Sequence, residues 1–110
     1  MQHEPQLLDC LVVGGGAAGL TSAVYLGRYK RQALILDAGG SRLQKIPRTR
    51  NVPGFPQGIE GPELLARMRE HAARYGVATE RVTVQRIERL PDGTFRAEAD
   101  GRSWRARRVD

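Results

Sequence analysis

The sequence predicts an α/β fold in which a parallel strand–helix–strand unit is followed by a three-stranded antiparallel segment. Two apolar runs support the first part: residues 8–13 end at three glycines, and residues 33–36 end at Asp37. Short apolar runs of this kind are typical of buried parallel strands. Two hairpin turn sequences near the C-terminus, Pro91-Asp92-Gly93 and Asp100-Gly101, support the antiparallel part.

A helix is predicted between the two apolar runs, from Ala17 to about Tyr29. Small and apolar residues recur there at three- and four-residue spacing, at Leu20, Ala23, Val24 and Gly27. Basic residues follow at the C-terminal end, where they complement the helix dipole. The crossover from the first strand to the second is expected to be right-handed.

Residues 38–60 predict a long loop, because their glycines and prolines leave no room for a helix. A loop of about 20 residues in a compact domain is usually functional and can wrap a ligand. A second helix is predicted over residues 61–76. It begins with Gly-Pro-Glu and ends at Gly76, and its apolar face comprises Leu64, Leu65, Met68, Ala72 and Tyr75.

The region 81–110 is predicted to contain three β segments, at about residues 82–90, 94–99 and 103–109. A doubly wound domain needs more parallel strands than the two or three that this chain offers. We therefore expect an incomplete doubly wound domain, divided into a βαβ unit (8–37), a loop (38–60), a helix (61–76) and the β segments.

Residues 14–19, Gly-Gly-Gly-Ala-Ala-Gly, match the dinucleotide-binding pattern G-x-G-x-x-G. Gly14 permits the turn out of the strand, Gly16 allows a pyrophosphate to approach the backbone, and Gly19 lets the helix pack on the strand. Asp37 follows Gly14 by 23 residues and can accept hydrogen bonds from a ribose hydroxyl. An acid there disfavours a 2′-phosphate, so FAD or NAD fits better than NADP, and the motif leaves those two open.

Two longer segments carry a resemblance to a known family. Residues 9–20 resemble the opening of the pyridine nucleotide–disulfide oxidoreductases, which are Rossmann-like proteins. Asn-Val-Pro-Gly-Phe-Pro at 51–56 and Gly-Ile-Glu-Gly-Pro-Glu-Leu-Leu at 58–65 are similar to the low-molecular-weight thioredoxin reductases and their flavoprotein relatives. The resemblance extends from about residue 9 to residue 110, and the second segment is much more specific than the glycine pattern.

The resemblance implies that the chain binds FAD. The residues that it assigns to the pyrophosphate are Gly14, Gly15, Gly16, Ala17 and Ala18, within the motif that Gly19 completes. It assigns the adenosine ribose to Asp37 with Ala38 and Gly39 close by, the neighbourhood of the flavin to Asn51, and the adenine to the backbone of Val84.

This sequence departs from the family pattern in three places. Gly39-Gly40-Ser41 stands where Gly-Gly-Gln is usual, and Ala17 stands where proline is common. The family's redox Cys-x-x-Cys and its NADPH-binding domain would lie beyond residue 110. We therefore expect no catalytic residue in this chain and no catalysis by these residues alone.

By resemblance the whole enzyme is an FAD-dependent oxidoreductase that passes electrons from NAD(P)H through FAD to a disulfide or another acceptor. The alternative is a non-catalytic dinucleotide-binding module that another chain completes.

The net charge of +6 comes from 18 Lys and Arg against 12 Asp and Glu. Because the arginines are spread along the chain, we expect a solvated surface rather than a nucleic-acid site.

The remaining expectations are a cytoplasmic protein with no membrane span, no metal cluster and no intrachain disulfide; a homodimer is left open. Cys10 is expected in the core, because cysteine is among the most buried residue types. His71 is expected at the surface of the second helix. Trp104 alternates with Ala106 and is expected to pack under the β segments.

Overall fold

A computed structural model describes residues 6–39, 54 and 56–110, with Ala17 described by its backbone alone. The predicted parallel unit is present: β1 (Leu7–Val13), α1 (Ala17–Arg28) and β2 (Ala33–Leu36). β1 and β2 pair in parallel, from Cys10 opposite Ala33 to Val13 opposite Leu36. Both strands therefore end at the same edge of the sheet, beside the glycine motif and Asp37.

The second helix, α2 (Gly61–Arg74), is also confirmed, with Pro62 in its first turn and Glu63 near its positive end. Gly76 adopts a φ of 83°, as expected for a left-handed residue after a helix. Of the predicted apolar face, Leu65 and Ala72 are buried, whereas Tyr75 is 44% exposed. The aromatic ring at the end of the helix thus lies at the surface.

A short strand that the sequence analysis missed, β3 (Ala78–Glu80), follows α2 and pairs in parallel with β2. The predicted strand over residues 82–90 is too long, because only β4 (Arg86–Arg89) is extended and paired. Residues 82–85 instead leave the end of β3, held by a hydrogen bond from the Val82 amide to the Asp37 carbonyl at 3.1 Å.

β5 (Phe95–Ala99) and β6 (Arg102–Val109) complete the predicted antiparallel segment with β4. The Asp100-Gly101 turn has two positive φ angles, 48° and 75°, which a two-residue hairpin turn requires. In the other turn, Asp92 accepts hydrogen bonds from the amide and hydroxyl of Thr94. Both turn predictions are confirmed.

The described strands form one six-stranded sheet in the order β3-β2-β1-β6-β5-β4, because β6 also pairs in parallel with β1. One apolar cluster lies between the parallel strands and the helices and includes Cys10, Leu20, Ile35 and Leu65. A second joins Leu11 and Leu36 to the antiparallel segment through Ala97, Ala99, Trp104 and Ala106. The core positions predicted for Cys10 and Trp104 are confirmed. In the described part of the chain, neither helix has the length and apolar character that crossing a membrane requires.

Candidate dinucleotide-binding site

The glycine motif forms the turn between β1 and α1. Gly14 has a φ of +97°, a value that residues with side chains rarely adopt, and its amide donates a 2.8 Å hydrogen bond to the carbonyl of Leu36. This bond ties the turn to the end of the neighbouring strand. The geometry confirms that Gly14 permits the sharp exit from β1.

Gly19 lies where α1 crosses β1. A Cβ atom at this position would be 2.5 Å from the Gly14 carbonyl oxygen and 3.1 Å from Cγ1 of Val12. Neither the backbone oxygen nor the packed strand can move aside at low cost, so only glycine allows this approach. The packing role predicted for Gly19 is confirmed, and it places the start of α1 directly over the turn.

The N-terminus of α1 is suited to an anion. Gly16 is the N-cap residue, no side chain caps the helix, and no acidic residue lies in its first turn. The first amides of a helix lack partners within the helix, and the helix dipole is positive at this end. Ala17 and Ala18 lie in this first turn, and their assignment to a pyrophosphate stays a prediction.

Asp37 lies directly after β2 and is 5% exposed. Its carboxylate accepts hydrogen bonds from the amides of Gly39, at 3.1 Å, and Gly15, and from Nη2 of Arg69, at 2.8 Å. Burial by itself raises the pKa of Asp37, but these hydrogen bonds and the arginine charge outweigh it and hold the pKa below its ordinary value. The side chain is therefore an ionised acceptor at neutral pH.

These elements line a cavity of about 340 Å³ at the carboxyl ends of β1 and β2. Ligands of open α/β sheets bind at this edge. The cavity brings together the predicted residues Gly14, Gly15, Gly16, Asp37, Ala38, Gly39 and Val84. It also contains Val82 and Thr83, which the sequence analysis missed because it assigned them to a strand. Glycine and alanine line the cavity at residues 14–16 and 38–39, where they leave the backbone open to close approach by a ligand.

A second cavity of about 220 Å³ shares Asp37 and Gly39 with the first and is otherwise lined by Arg69, Thr79 and Arg81. The Arg81 guanidinium lies against Gly39, where a Cβ atom would be 2.7 Å from Nη2. The sequence analysis identified neither arginine, since they come from α2 and from the segment after β3. Only the packing of those elements brings them to Asp37.

Two other singled-out residues, His71 and Cys10, do not line this cavity. Asn51 lies outside the described residues, as does most of the predicted loop, and its role stays a prediction. His71 is exposed on α2, as expected, with its ring 5.5 Å from that of Tyr75. Burial raises the pKa of the Cys10 thiol, which favours the protonated core residue over a reactive thiolate.

The strand–glycine turn–helix unit and the acid after β2 define the chain as a Rossmann-like α/β protein of the dinucleotide-binding class. Comparison with known proteins narrows this class, although no model of a protein family matches. The bifunctional thioredoxin reductase/thioredoxin of Mycobacterium leprae is 33% identical over 109 residues, which cover 97% of this chain and 24% of that protein. The thioredoxin reductase of Mycolicibacterium smegmatis is 39% identical over 77 residues, covering 68% and 25%.

Solved structures give the same result. A thioredoxin reductase from Gloeobacter violaceus superposes with a TM-score of 0.88 at 29% identity, over 96% of this chain and 36% of that one. The T. acidophilum thioredoxin reductase has a TM-score of 0.81 at 33% identity, over 93% and 34%. The chain is therefore a homologue of the thioredoxin reductases and is consistent with an N-terminal part of them. It spans about a quarter of the length of the curated relatives described here.

Proposed function

We propose that this chain binds FAD as the N-terminal part of a thioredoxin-reductase-like oxidoreductase, which passes electrons from NAD(P)H through FAD to a disulfide or another acceptor. The observation that carries the proposal is one cavity in which the glycine turn, the N-terminus of α1 and the buried Asp37 meet. Its chemistry fits the ADP half of a dinucleotide. The similarity to thioredoxin reductases favours FAD as that dinucleotide.

Each part of the cavity suits a different part of the ADP group. The first-turn amides of α1 would bind the pyrophosphate, and Asp37 would accept a hydrogen bond from the ribose. The backbone from Val82 to Val84, which also lines the cavity, would contact the adenine. Asn51 would lie near the flavin, as the family resemblance implies.

FAD, when bound, supplies the electron transfer itself, and the protein supplies binding, orientation and electrostatics. The donors and acceptors that line the described cavity are backbone groups, the Thr83 hydroxyl and one carboxylate. These groups hold and orient a cofactor without reacting. In this proposal the redox cysteines and the NAD(P)H-binding domain belong to the rest of the enzyme. We further propose a cytoplasmic location, no role in nucleic-acid binding, and a homodimer as the assembly to test first.

The second candidate is a dinucleotide-binding module that another chain completes. The observation that favours it is β4, which lies at the edge of the sheet formed by the described strands and whose Ile87 is 46% exposed. Unpaired strand edges with exposed apolar residues invite pairing with another chain. A purified chain that binds FAD only after a second protein pairs with this edge would support the module.

The proposal is tested by titrating the 110-residue protein with FAD, ADP and FMN and following flavin absorption and fluorescence. We expect FAD to bind, ADP to displace it, and FMN, which lacks the ADP group, to bind far more weakly. Asp37→Asn should weaken FAD and ADP binding, whereas the control Asp92→Asn, in a remote turn, should not. FMN binding as tightly as FAD, or the binding of neither FAD nor ADP, would contradict the proposal.

A further inference from the structure

Asp37 is the one polar or charged residue that is buried among the described residues. Removing a carboxylate from water is costly unless it is hydrogen-bonded and paired with a charge. Two of its partners, the amides of Gly15 and Gly39, come from segments that adjoin the nucleotide cavity. The charged partner is Arg69, 32 residues away on α2.

The partners of Asp37 determine what its carboxylate can still accept. An ionised carboxylate has about four acceptor positions. The Gly39 amide donates to Oδ1 and Arg69 donates to Oδ2, so each oxygen keeps acceptor capacity that a ribose hydroxyl can use. A Cβ atom on Gly15 would be 2.4 Å from Oδ2, so the oxygen that Arg69 contacts also packs against the glycine turn. Arg69 thus holds the carboxylate tightly against the motif.

The pair is poorly arranged as a device for stability alone. Nε of Arg69 is buried and has no hydrogen-bond partner within the described residues. An unsatisfied buried donor is costly, and this cost offsets part of what the ion pair contributes. The side chain is also 36% exposed, so solvent screens its charge. A role in orienting Asp37 accounts for this arrangement better than a role in holding α2 to the sheet.

We propose that Arg69 is the positioning residue of the ribose site: its guanidinium holds the Asp37 carboxylate turned so that it offers an oxygen to the adenosine ribose. The inference rests on the proposed function, because it concerns the ADP half of the cofactor. The other charged groups nearby are Arg81, which lines the same small cavity, and Glu80, which is paired with Arg102. Of the charged groups, only Arg69 is hydrogen-bonded to Asp37 among the described residues.

The test compares the affinity for ADP with that for 2′,3′-dideoxy-ADP, which lacks the ribose hydroxyls. In the wild-type chain ADP should bind more tightly. Arg69→Gln removes the hydrogen bond that orients the carboxylate, so it should lower the affinity for ADP about tenfold and change the affinity for the dideoxy ligand less than about twofold. Arg69→Lys keeps the positive charge and should restore part of the preference for ADP over the dideoxy ligand. The control Arg74→Gln removes an exposed ion pair with Glu70 from the same helix and should change neither affinity.

Measuring the preference for ADP over the dideoxy ligand at a series of pH values adds a second test. A merely structural role of Arg69 would not change its pH dependence. Because Arg69 helps to hold the pKa of Asp37 low, its removal should raise that pKa. The ADP preference should then be lost at a higher pH in Arg69→Gln than in the wild type. Carbon-13 NMR titration of the Asp37 carboxyl should show the same displacement.

Three results would overturn the inference. They are an equal loss for both ligands, an unchanged ADP preference, and an unchanged Asp37 titration in Arg69→Gln. If Arg69→Gln does not fold, Arg69→Met keeps the aliphatic stem and is judged by the same ratio. A wild-type chain that binds neither FAD nor ADP would contradict the proposed function and this inference together. A wild type that binds ADP no better than Arg69→Gln does would contradict this inference alone.

Discussion

Two regions of the molecule depend on glycine in different ways. One is the glycine turn at the ends of β1 and β2, and the other is the pair of hairpins formed by β4, β5 and β6. At Gly19 an added Cβ would meet the backbone at 2.5 Å, whereas at Gly93 and Gly101 nothing lies within 4 Å. Close packing requires glycine at position 19, whereas positive φ angles favour glycine at positions 93 and 101. The nucleotide-facing region therefore depends on tight approach at Gly19 as well as on the positive φ of Gly14, whereas the hairpins depend on local turn geometry alone.

The charges of the two regions differ in the same way. Asp37 is buried and its contacts are specific, whereas the hairpin strands carry exposed arginine–glutamate pairs such as Arg96 with Glu88 and Glu98. Exposed pairs contribute little to stability and are screened by salt. Substitutions in the first region should therefore affect both ligand binding and stability, whereas those in the hairpins should affect stability alone.

The largest expected effect is that of Gly19→Ala. The new methyl group would press on the Gly14 carbonyl and on β1, so we expect a loss of about 3 kcal/mol, at the upper end for overpacking. Urea unfolding measures the stability, and FAD titration should show that binding is lost too. Unchanged stability would mean that α1 does not need to approach β1 so closely.

Asp37 should make stability depend on pH. Its pKa is lower in the folded protein than in the unfolded chain, so its contribution is present above about pH 4 and is lost as the pH falls through the folded value. Asp37→Asn should lack this component. The stability difference between wild type and variant, from urea unfolding between neutral and acidic pH, should therefore shrink in acid. A difference that stays constant across that range would contradict the assigned pKa direction.

A smaller effect is expected for Gly93→Ala in the turn before β5. Its φ of 87° strains any residue with a side chain, at a cost of about 1–2 kcal/mol, but the added methyl group enters open space. Thermal unfolding should show this cost, and FAD affinity should remain unchanged. Reduced FAD affinity would show that the hairpins and the cavity are coupled.

The smallest effect is expected for Glu88→Gln, which removes pairs with Arg86 and Arg96. These side chains are partly exposed, so the loss should be about 0.2–1 kcal/mol at low salt and less at high salt. Unfolding at two salt concentrations measures it. A loss that salt does not change would indicate packing rather than charge.

Short sequence patterns predict the local elements of this structure well, and they predict poorly the features that depend on contacts between distant residues. The bounds of β2 and the turns at Gly76, Gly93 and Asp100-Gly101 follow from short patterns, and the structure confirms them. β3 is three residues long and has no clear periodicity, so it was missed. The predicted β segment at 82–90 began too early, because Val82 hydrogen-bonds to Asp37 after β2 and residues 82–84 line the cavity instead.

The candidate site likewise contains parts that a local sequence pattern predicts and a part that depends on a distant contact. The motif predicted the turn, the N-terminus of α1 and Asp37, since all lie within one local unit. The contact between Arg69 and Asp37 spans 32 residues and depends on how α2 packs against the sheet. Its sequence signal, one arginine on a helix that has several, is indistinguishable from a solvated charge. No local pattern could identify it.

The most direct test of the account is a ¹⁵N–¹H NMR spectrum of the 110-residue protein with and without ADP. We predict that the largest amide shift changes occur at residues 14–19, 37–39 and 82–84, and that β4 and β5 change little. This result would place the ADP group in the glycine-lined cavity. Changes confined to the hairpins, or no change at saturating ADP, would contradict a dinucleotide site at the ends of β1 and β2.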